Sequence, residues 1–466
     1  MSTSSPAPGR LRLLGPDGAE LESSEANFEV QAGALLAHPK QQAPLRVDFA
    51  DVDAFEMGDY LFTLRLATGE TVEASMLGKR FDETRDGTAA ALTGYRAKNL
   101  LLEEPSGGEA FACDVEREEA FGAEGSEAPS RRRDGEAGAQ VRVYATSLAV
   151  LPRASVPYGI PFGEVASVGF DEDRYSVDLA TSSGRVSLLR MGKKTQPCLR
   201  LLEQRLSDLR KRTAEALAFL VPALPTLSAR RFAQAVQDGV PAQKSALDAI
   251  SPALWPDLLK AAVGEQALRE SIGALAARCP EGEIAVGLKE TNFRQDAVSE
   301  GEAEGPVAQE AQTQEMPLPP DEAAEKGEGP MAKRVVWYAF PIYSEDRTRP
   351  GNAVAIEAAT RAGRATYLFR IAPPEVYRQA SFQELQGLAR DRIRSVSRAL
   401  VALGFKREPI YLPDEVIRTG PYARYRLALR LSVPLKATRA AFVGRAIHHQ
   451  GWAAQVDEAL AKAVAG

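Results

Sequence analysis

Cysteine and histidine are scarce in this 466-residue chain, with three of each. Cys113, Cys198 and Cys279 are far apart and odd in number, which excludes both a disulfide framework and a paired-cysteine metal knuckle. A reducing, cytoplasmic compartment fits that usage. His448 and His449 form the one histidine pair and His38 stands alone, so no set has metal-ligand spacing. These histidines read as surface or packing residues. No apolar run approaches the ~18 residues needed to span a bilayer, which argues against integral membrane association. The opening Met1-Ser-Thr-Ser-Ser-Pro6 has neither the basic start nor the apolar core of a secretory signal. A Walker loop and a Gly-rich dinucleotide fingerprint are missing as well. Carboxylates are plentiful, but any two would serve equally as an acid–base pair, so none is singled out. No catalytic residue, cofactor or metal is assigned, and an enzyme is not expected.

What is present is ordinary globular material, 44% hydrophobic and 26% charged. Its length implies about three domains with linkers. Arginine outnumbers lysine and alanine is abundant, a bias of GC-rich bacterial coding. The net charge of −6 hides a segregation. Residues 281–330 carry thirteen acidic residues against Lys289, Arg294 and Lys326. Residues 331–466 carry twenty-two Lys/Arg against eleven Asp/Glu. That pattern reads as an acidic tether beside a basic module.

The strongest signal is an internal repeat. Residues 32–55 lie on residues 145–168 without a gap. Ala32, Leu35, Pro39, Phe49 and Val52 fall on Ala145, Leu148, Pro152, Phe162 and Val165, and Asp51 meets Glu164. After a two-residue insertion Tyr60, Leu64 and Gly69 match Tyr175, Leu179 and Gly184. Leu77-Gly-Lys-Arg80 then meets Met191-Gly-Lys-Lys194. Tyr60, Phe62, Leu64 and Leu66 alternate with polar or small residues, the period of a half-buried strand, and Gly69 supplies the hairpin turn. Each copy closes with a helix, starting near Phe81 and near Pro197. In the second, Leu199, Leu202, Leu206 and Leu209 form its apolar stripe.

Short strands followed by one closing amphipathic helix resemble the pleckstrin-homology superfold, over residues 10–105 and 138–215. The resemblance implies two antiparallel sheet modules of the kind found in histone chaperones and in lipid- or peptide-binding adaptors. Lipid-binding members are basic along the first two strands and their loop. Here only Lys40 and Arg46 in one copy and Arg153 in the other stand there, so phosphoinositide binding is not expected.

The expected fold class is therefore α+β multidomain. Residues 106–137, rich in Gly, Glu and Ser, read as a flexible linker. Residues 216–280 read as a helical segment, with Ser228 capping a helix that carries Phe232, Val236 and Val240. Residues 281–330 read as an acidic disordered linker, and 331–466 as a basic α+β domain. In that domain Val335–Ile342 reads as a strand, and 353–359 with 365–371 as a hairpin turning through Arg361–Arg364. Ser381-Phe-Gln-Glu384 is a capping box. Tyr425–Val433 reads as a further strand, with a terminal helix beyond it.

Candidate binding residues fall into two sets. Lys79, Arg80, Lys193 and Lys194 recur before the closing helices and mark either solvated turns or a shared anion or peptide contact. Arg390, Arg394 and Arg398 line one helix face. Arg418, Tyr422, Arg424, Tyr425 and Arg426, with Arg430, interleave cations and aromatics as nucleic-acid binders do. The plainer reading pairs these arginines with carboxylates nearby or in the 281–330 segment. The function expected is a non-enzymatic adaptor binding protein or peptide partners through its tandem modules. The alternative is nucleic-acid or chromatin association through residues 331–466.

Overall fold

The computed structural model describes residues 6–40, 42–104, 107–121, 130–263, 266–290, 334–346, 349–358, 365–448 and 451–465. Its first unit is a seven-stranded antiparallel sheet: β1 (Ala7–Leu14), β2 (Glu20–Val30), β3 (Ala34–Pro39), β4 (Leu45–Asp48), β5 (Val52–Met57), β6 (Leu61–Leu66) and β7 (Thr71–Ser75). The strand order is β4-β3-β2-β1-β7-β6-β5, and α1 (Phe81–Asn99) follows. Phe28, Leu35, Phe62, Leu64 and Val72 point inward, and α1 adds Phe81, Ala89 and Leu92 to that core.

The second unit repeats this plan: β8 (Glu109–Phe121), β9 (Ser130–Val143), β10 (Ser147–Leu151), β11 (Tyr158–Pro161), β12 (Val165–Asp171), β13 (Ser176–Thr181) and β14 (Gly184–Leu189), then α2 (Thr195–Leu220). Its order, β11-β10-β9-β8-β14-β13-β12, is the first order shifted by seven strands. The duplication therefore reaches further than the string match. Residues 109–121 and 130–137, expected in a linker, form with 138–143 a paired hairpin that supplies the first two strands of the second unit. Their alternation is visible in buried Phe111, Cys113 and Val115 opposite Ala139 and Val141. Gly and Glu on the solvent face masked it. Residues 122–129 lie outside the described residues.

Next come α3 (Thr226–Ala235), β15 (Ala242–Gln243), α4 (Lys244–Asp248), α5 (Leu254–Ala262), α6 (Gln266–Ala276) and β16 (Ala285–Glu290). Helix α3 starts after Pro225, so Ser228 sits inside it and caps nothing. Beyond the undescribed residues 291–333 follow β17 (Arg334–Ile342), β18 (Ala353–Ala358), β19 (Ala365–Arg370), α7 (Pro374–Gln379) and α8 (Phe382–Ala402). The chain ends with α9 (Glu408–Tyr411), α10 (Asp414–Ile417), α11 (Arg426–Leu431), α12 (Val433–Ala441), β20 (Phe442–Ile447) and α13 (Trp452–Ala465). The capping box is present: Ser381 Oγ accepts from the Glu384 amide while the Glu384 carboxylate accepts from the Ser381 amide. The hairpin of β18 and β19 forms as expected, although its turn, 361–364, is not described.

Several expectations fail in this third unit. Its six-stranded sheet, β15-β16-β17-β18-β19-β20, takes two strands from before residue 291, so β16 lies inside the segment expected to be an acidic tether. The helical segment is likewise part of this unit, because Leu254, Leu258, Ile272 and Leu275 share one core with Val336, Tyr338 and Phe340 of β17. Residues 425–433 are not a strand but α11 and the start of α12. The run Arg-Leu-Ala-Leu-Arg-Leu lacks β-branched residues and is made of good helix formers, which decides an ambiguous short apolar run for helix. β20, in the stretch expected to be a terminal helix, takes the sheet edge instead.

The three units interlock through the closing helices. Helix α1 packs on the second sheet as well as its own, where Ala97 and Leu102 meet Tyr144, Ala149 and Leu151. The end of α1 then delivers Leu100 to the α8-covered face of the third sheet. The end of α2 delivers Ala216, Leu217 and Leu220 to the opposite face.

Candidate interaction surfaces

Each repeated module has two ends, separated by the length of β5 or β12. At the start of these strands lies a 3-10 turn, Phe49–Asp51 in one copy and Phe162–Glu164 in the other. The same backbone bond fixes both turns: Phe49 N donates to Gly33 O, and Phe162 N donates to Thr146 O, each at 2.9 Å. One arginine of the closing helix braces each turn. Arg96 Nη2 donates to Asp53 O at 3.0 Å, and Arg210 Nη2 donates to Ala166 O, the matching carbonyl, also at 3.0 Å. Arg96 is only 1% exposed. Burial lowers its guanidinium to about 10, with Arg430 adding repulsion, so it remains charged at neutral pH.

The third unit grips both turns at equivalent positions. Arg426 pairs with Asp51 at 2.8 Å, while Arg398 holds Glu164 through two hydrogen bonds. Asp51 and Glu164 are the same position of the repeat, so one carboxylate per copy is taken by an arginine from a different helix. Arg430 adds a bond to Ala50 O and lies 3.3 Å from Asp53. Gly163, the counterpart of Ala50, presses against the Asp238 carbonyl so closely that an added Cβ would stand 2.0 Å from that oxygen.

The basic stretch expected to face a ligand is thus largely turned inward. Arg390 pairs with Glu283 at 3.2 Å, a carboxylate of the acidic segment. Tyr425 is buried, and Arg424 lies over its ring at 4.7 Å and donates to its hydroxyl. Tyr422 is half-buried against the same core. Arg394 and Arg418 are exposed.

At the far end of each module the situation reverses. Lys79, Lys193 and Lys194 are exposed in 3-10 turns just before α1 and α2. Arg80 donates to Pro6 O at 2.9 Å. Tyr60 and Tyr175, expected as inward residues at the head of a strand, instead occupy turns with φ of 62° and 49°. Their side chains are 79% and 51% exposed. Met76 and Arg190, again equivalent, also have positive φ, 56° and 58°. Tyr60 leans on Phe81 and Tyr175 on Phe170, with ring centroids 6.0 and 5.3 Å apart. The clue was in the sequence: Gly58-Asp59 and Asp171-Glu-Asp173 precede these tyrosines, and glycine and aspartate are turn formers rather than strand formers.

The third sheet carries one polar cluster. Glu357, fully buried, accepts from Thr366 Oγ1 and sits 2.9 Å from His448 Nε2, and Trp452 Nε1 donates to Thr366 Oγ1 at 2.8 Å. Thr366 Oγ1 also lies 3.3 Å from His448 Nε2, so hydroxyl and carboxylate meet the same imidazole nitrogen and this is not a relay from hydroxyl through imidazole to carboxylate. Trp337 and Tyr425 belong to the core on the opposite face of that sheet from His448 and Trp452. His449 lies outside the described residues. Among the described residues no group of three or more His, Cys, Asp and Glu is arranged to hold a metal. No described helix is long and apolar enough to cross a membrane.

Compared with known proteins, the chain matches no family model and no curated protein.

Proposed function

We propose that this chain is a non-enzymatic intracellular adaptor. In this reading two pleckstrin-homology-like modules are held in fixed relation by the third unit and bind a protein or peptide partner through their far ends. The carrying observation is the repetition there of an exposed tyrosine at positive φ beside a Gly-Lys-Arg or Gly-Lys-Lys turn. A left-handed conformation costs a non-glycine residue about 1–2 kcal/mol, and a large exposed aromatic adds little to folding. Keeping both in each copy favours a contact outside the chain. The opposite ends are occupied by the third unit, which leaves the far ends as the repeated surface open to a partner.

The arrangement also weighs against the nucleic-acid alternative, since Arg390, Arg398 and Arg426 already hold carboxylates. A photo-crosslinking residue at Tyr60 or Tyr175 of the full chain, in native lysate, is expected to yield one discrete adduct. That adduct is lost with Lys79→Glu or Lys193→Glu, and the same crosslinker at Arg394 gives none. Absence of an adduct at both tyrosines, together with salt-dependent binding of DNA or RNA, would overturn the reading.

A further inference from the structure

A second surface, independent of the far ends, lies along α2. Arg205, Asp208, Lys211, Arg212 and Glu215 share one side of this helix and, with Ala145 of the β9–β10 turn, line a depression of about 320 Å³. That volume is at the lower limit of sites for small molecules. Spacings of three and four residues ordinarily let such charges pair along a helix. Here, among the described residues, no ion pair joins Asp208 to Arg205 or Lys211, nor Glu215 to Lys211. Arg212 is directed across the depression, its Nη2 donating to Ala145 O at 3.3 Å. Arg205 Nε is buried with no hydrogen-bond partner. That nitrogen is closed off from the depression, so a ligand would meet the terminal Nη groups of this guanidinium, which make no ion pair or hydrogen bond among the described residues.

We infer that this depression binds a small zwitterion, its oxyanion received by Arg205 and Lys211 and its ammonium by Asp208 and Glu215. A bare anion would meet the two carboxylates and a bare cation the three basic groups, so a ligand carrying both charges is the complement. The oxyanion is either a carboxylate or a phosphate, and the two sources are separated by choice of probe. Calorimetric titration of the full chain would use L-serine, O-phosphoethanolamine, acetate, inorganic phosphate and ethylamine. At least one of the two zwitterions is expected to bind saturably, and the three singly functional ions not. Arg205→Gln and Asp208→Asn should each weaken binding about tenfold or more, as loss of a charge-assisted hydrogen bond does. Asp208 is exposed and Arg205 half-buried, so circular dichroism checks that the variants fold, and Lys211→Gln, at an exposed position, serves should either fail. Binding by neither zwitterion overturns the proposal. So does inorganic phosphate binding as tightly as the zwitterion, or a zwitterion affinity that Asp208→Asn leaves unchanged.

Discussion

Burial sets the chemistry of single residues here more than charge does. All three thiols are pushed up to about 12 by desolvation, Cys113 and Cys198 within the second module and Cys279 against the Leu275 carbonyl. Only the thiolate is nucleophilic, so the native protein should resist iodoacetamide at pH 8, while the same protein in urea takes up three labels. Mass spectrometry reads the difference; rapid native labelling would contradict the burial. The sign for stability follows from linkage. The native state keeps these protons longer than the unfolded chain does. Their contribution is therefore intact below the ordinary thiol range near 8.5–9 and is lost as pH rises from there toward 12. Arg96 and Arg210 give a second residue-scale contrast. Both brace the start of an edge strand, but Arg96 is 1% exposed and also donates to Val52 O, while Arg210 is exposed. Removing Arg96 strands the buried Val52 carbonyl and the part-buried Asp53 carbonyl, so Arg96→Met should destabilise by about 2–4 kcal/mol. Arg210→Met should cost less than about 1 kcal/mol, since water can replace it. Equal losses in urea denaturation would mean that the two braces are energetically alike despite their burial.

At the scale of elements, the repeat was legible where its side chains alternate and opaque where they do not. Leu64, Gly69 and the Gly-Lys-Arg turn announced β6, β7 and the start of α1. The β8–β9 hairpin was read as linker because glycine and glutamate on one face dilute the periodicity of the other. Residues 285–290 were lost to the acidic composition around them, although Val286 and Leu288 are core residues. The arginine clusters were visible as residue types, and pairing with the 281–330 segment was anticipated and is found at Arg390–Glu283, but Asp51 and Glu164 lie far away in sequence and could not be named. The 3-10 turns that carry two of those carboxylates differ in one testable respect. Copy one has Ala50 where copy two has Gly163, whose missing Cβ admits the Asp238 carbonyl. Gly163→Ala requires backbone to move and should cost about 2–3 kcal/mol, as overpacking does. Ala50→Gly should cost no more than about 1 kcal/mol. Thermal denaturation of the two variants distinguishes them, and a Gly163→Ala protein as stable as the parent would show that this junction yields freely. The two ion pairs at these turns should also differ. Arg398–Glu164 is the more buried, with side chains 33% and 10% exposed against 46% and 42% for Arg426–Asp51. Arg398→Ala should therefore cost about 2–3 kcal/mol by stranding Glu164. Arg426→Ala should cost less than about 1 kcal/mol, and that loss should shrink in high salt.

For the whole molecule, the closing helices decide whether three units behave as one. Helix α1 lies between two sheets and ends on one face of the third, and α2 ends on the other face of that same sheet. Neither module can leave without exposing leucines that complete another unit's core. A buried leucine contributes roughly 1.5–3 kcal/mol by area alone, so Leu100, Leu217 and Leu220 together outweigh the ion pairs beside them. Tandem domains on ordinary linkers unfold separately; this arrangement predicts a single transition. The chain carries its own probe for that, because its three tryptophans, Trp255, Trp337 and Trp452, all belong to the third unit. Tryptophan emission therefore follows that unit alone, while far-ultraviolet circular dichroism follows every sheet and helix. In urea the two signals should change together, with one midpoint and one slope. Leu217→Ala, which thins the α2 contact, should lower the midpoint of both. If circular dichroism instead falls in two steps, only one of them shared with tryptophan, the modules are autonomous. They would not then hold their far ends at a fixed separation, and a partner would meet two independent sites rather than one rigid pair.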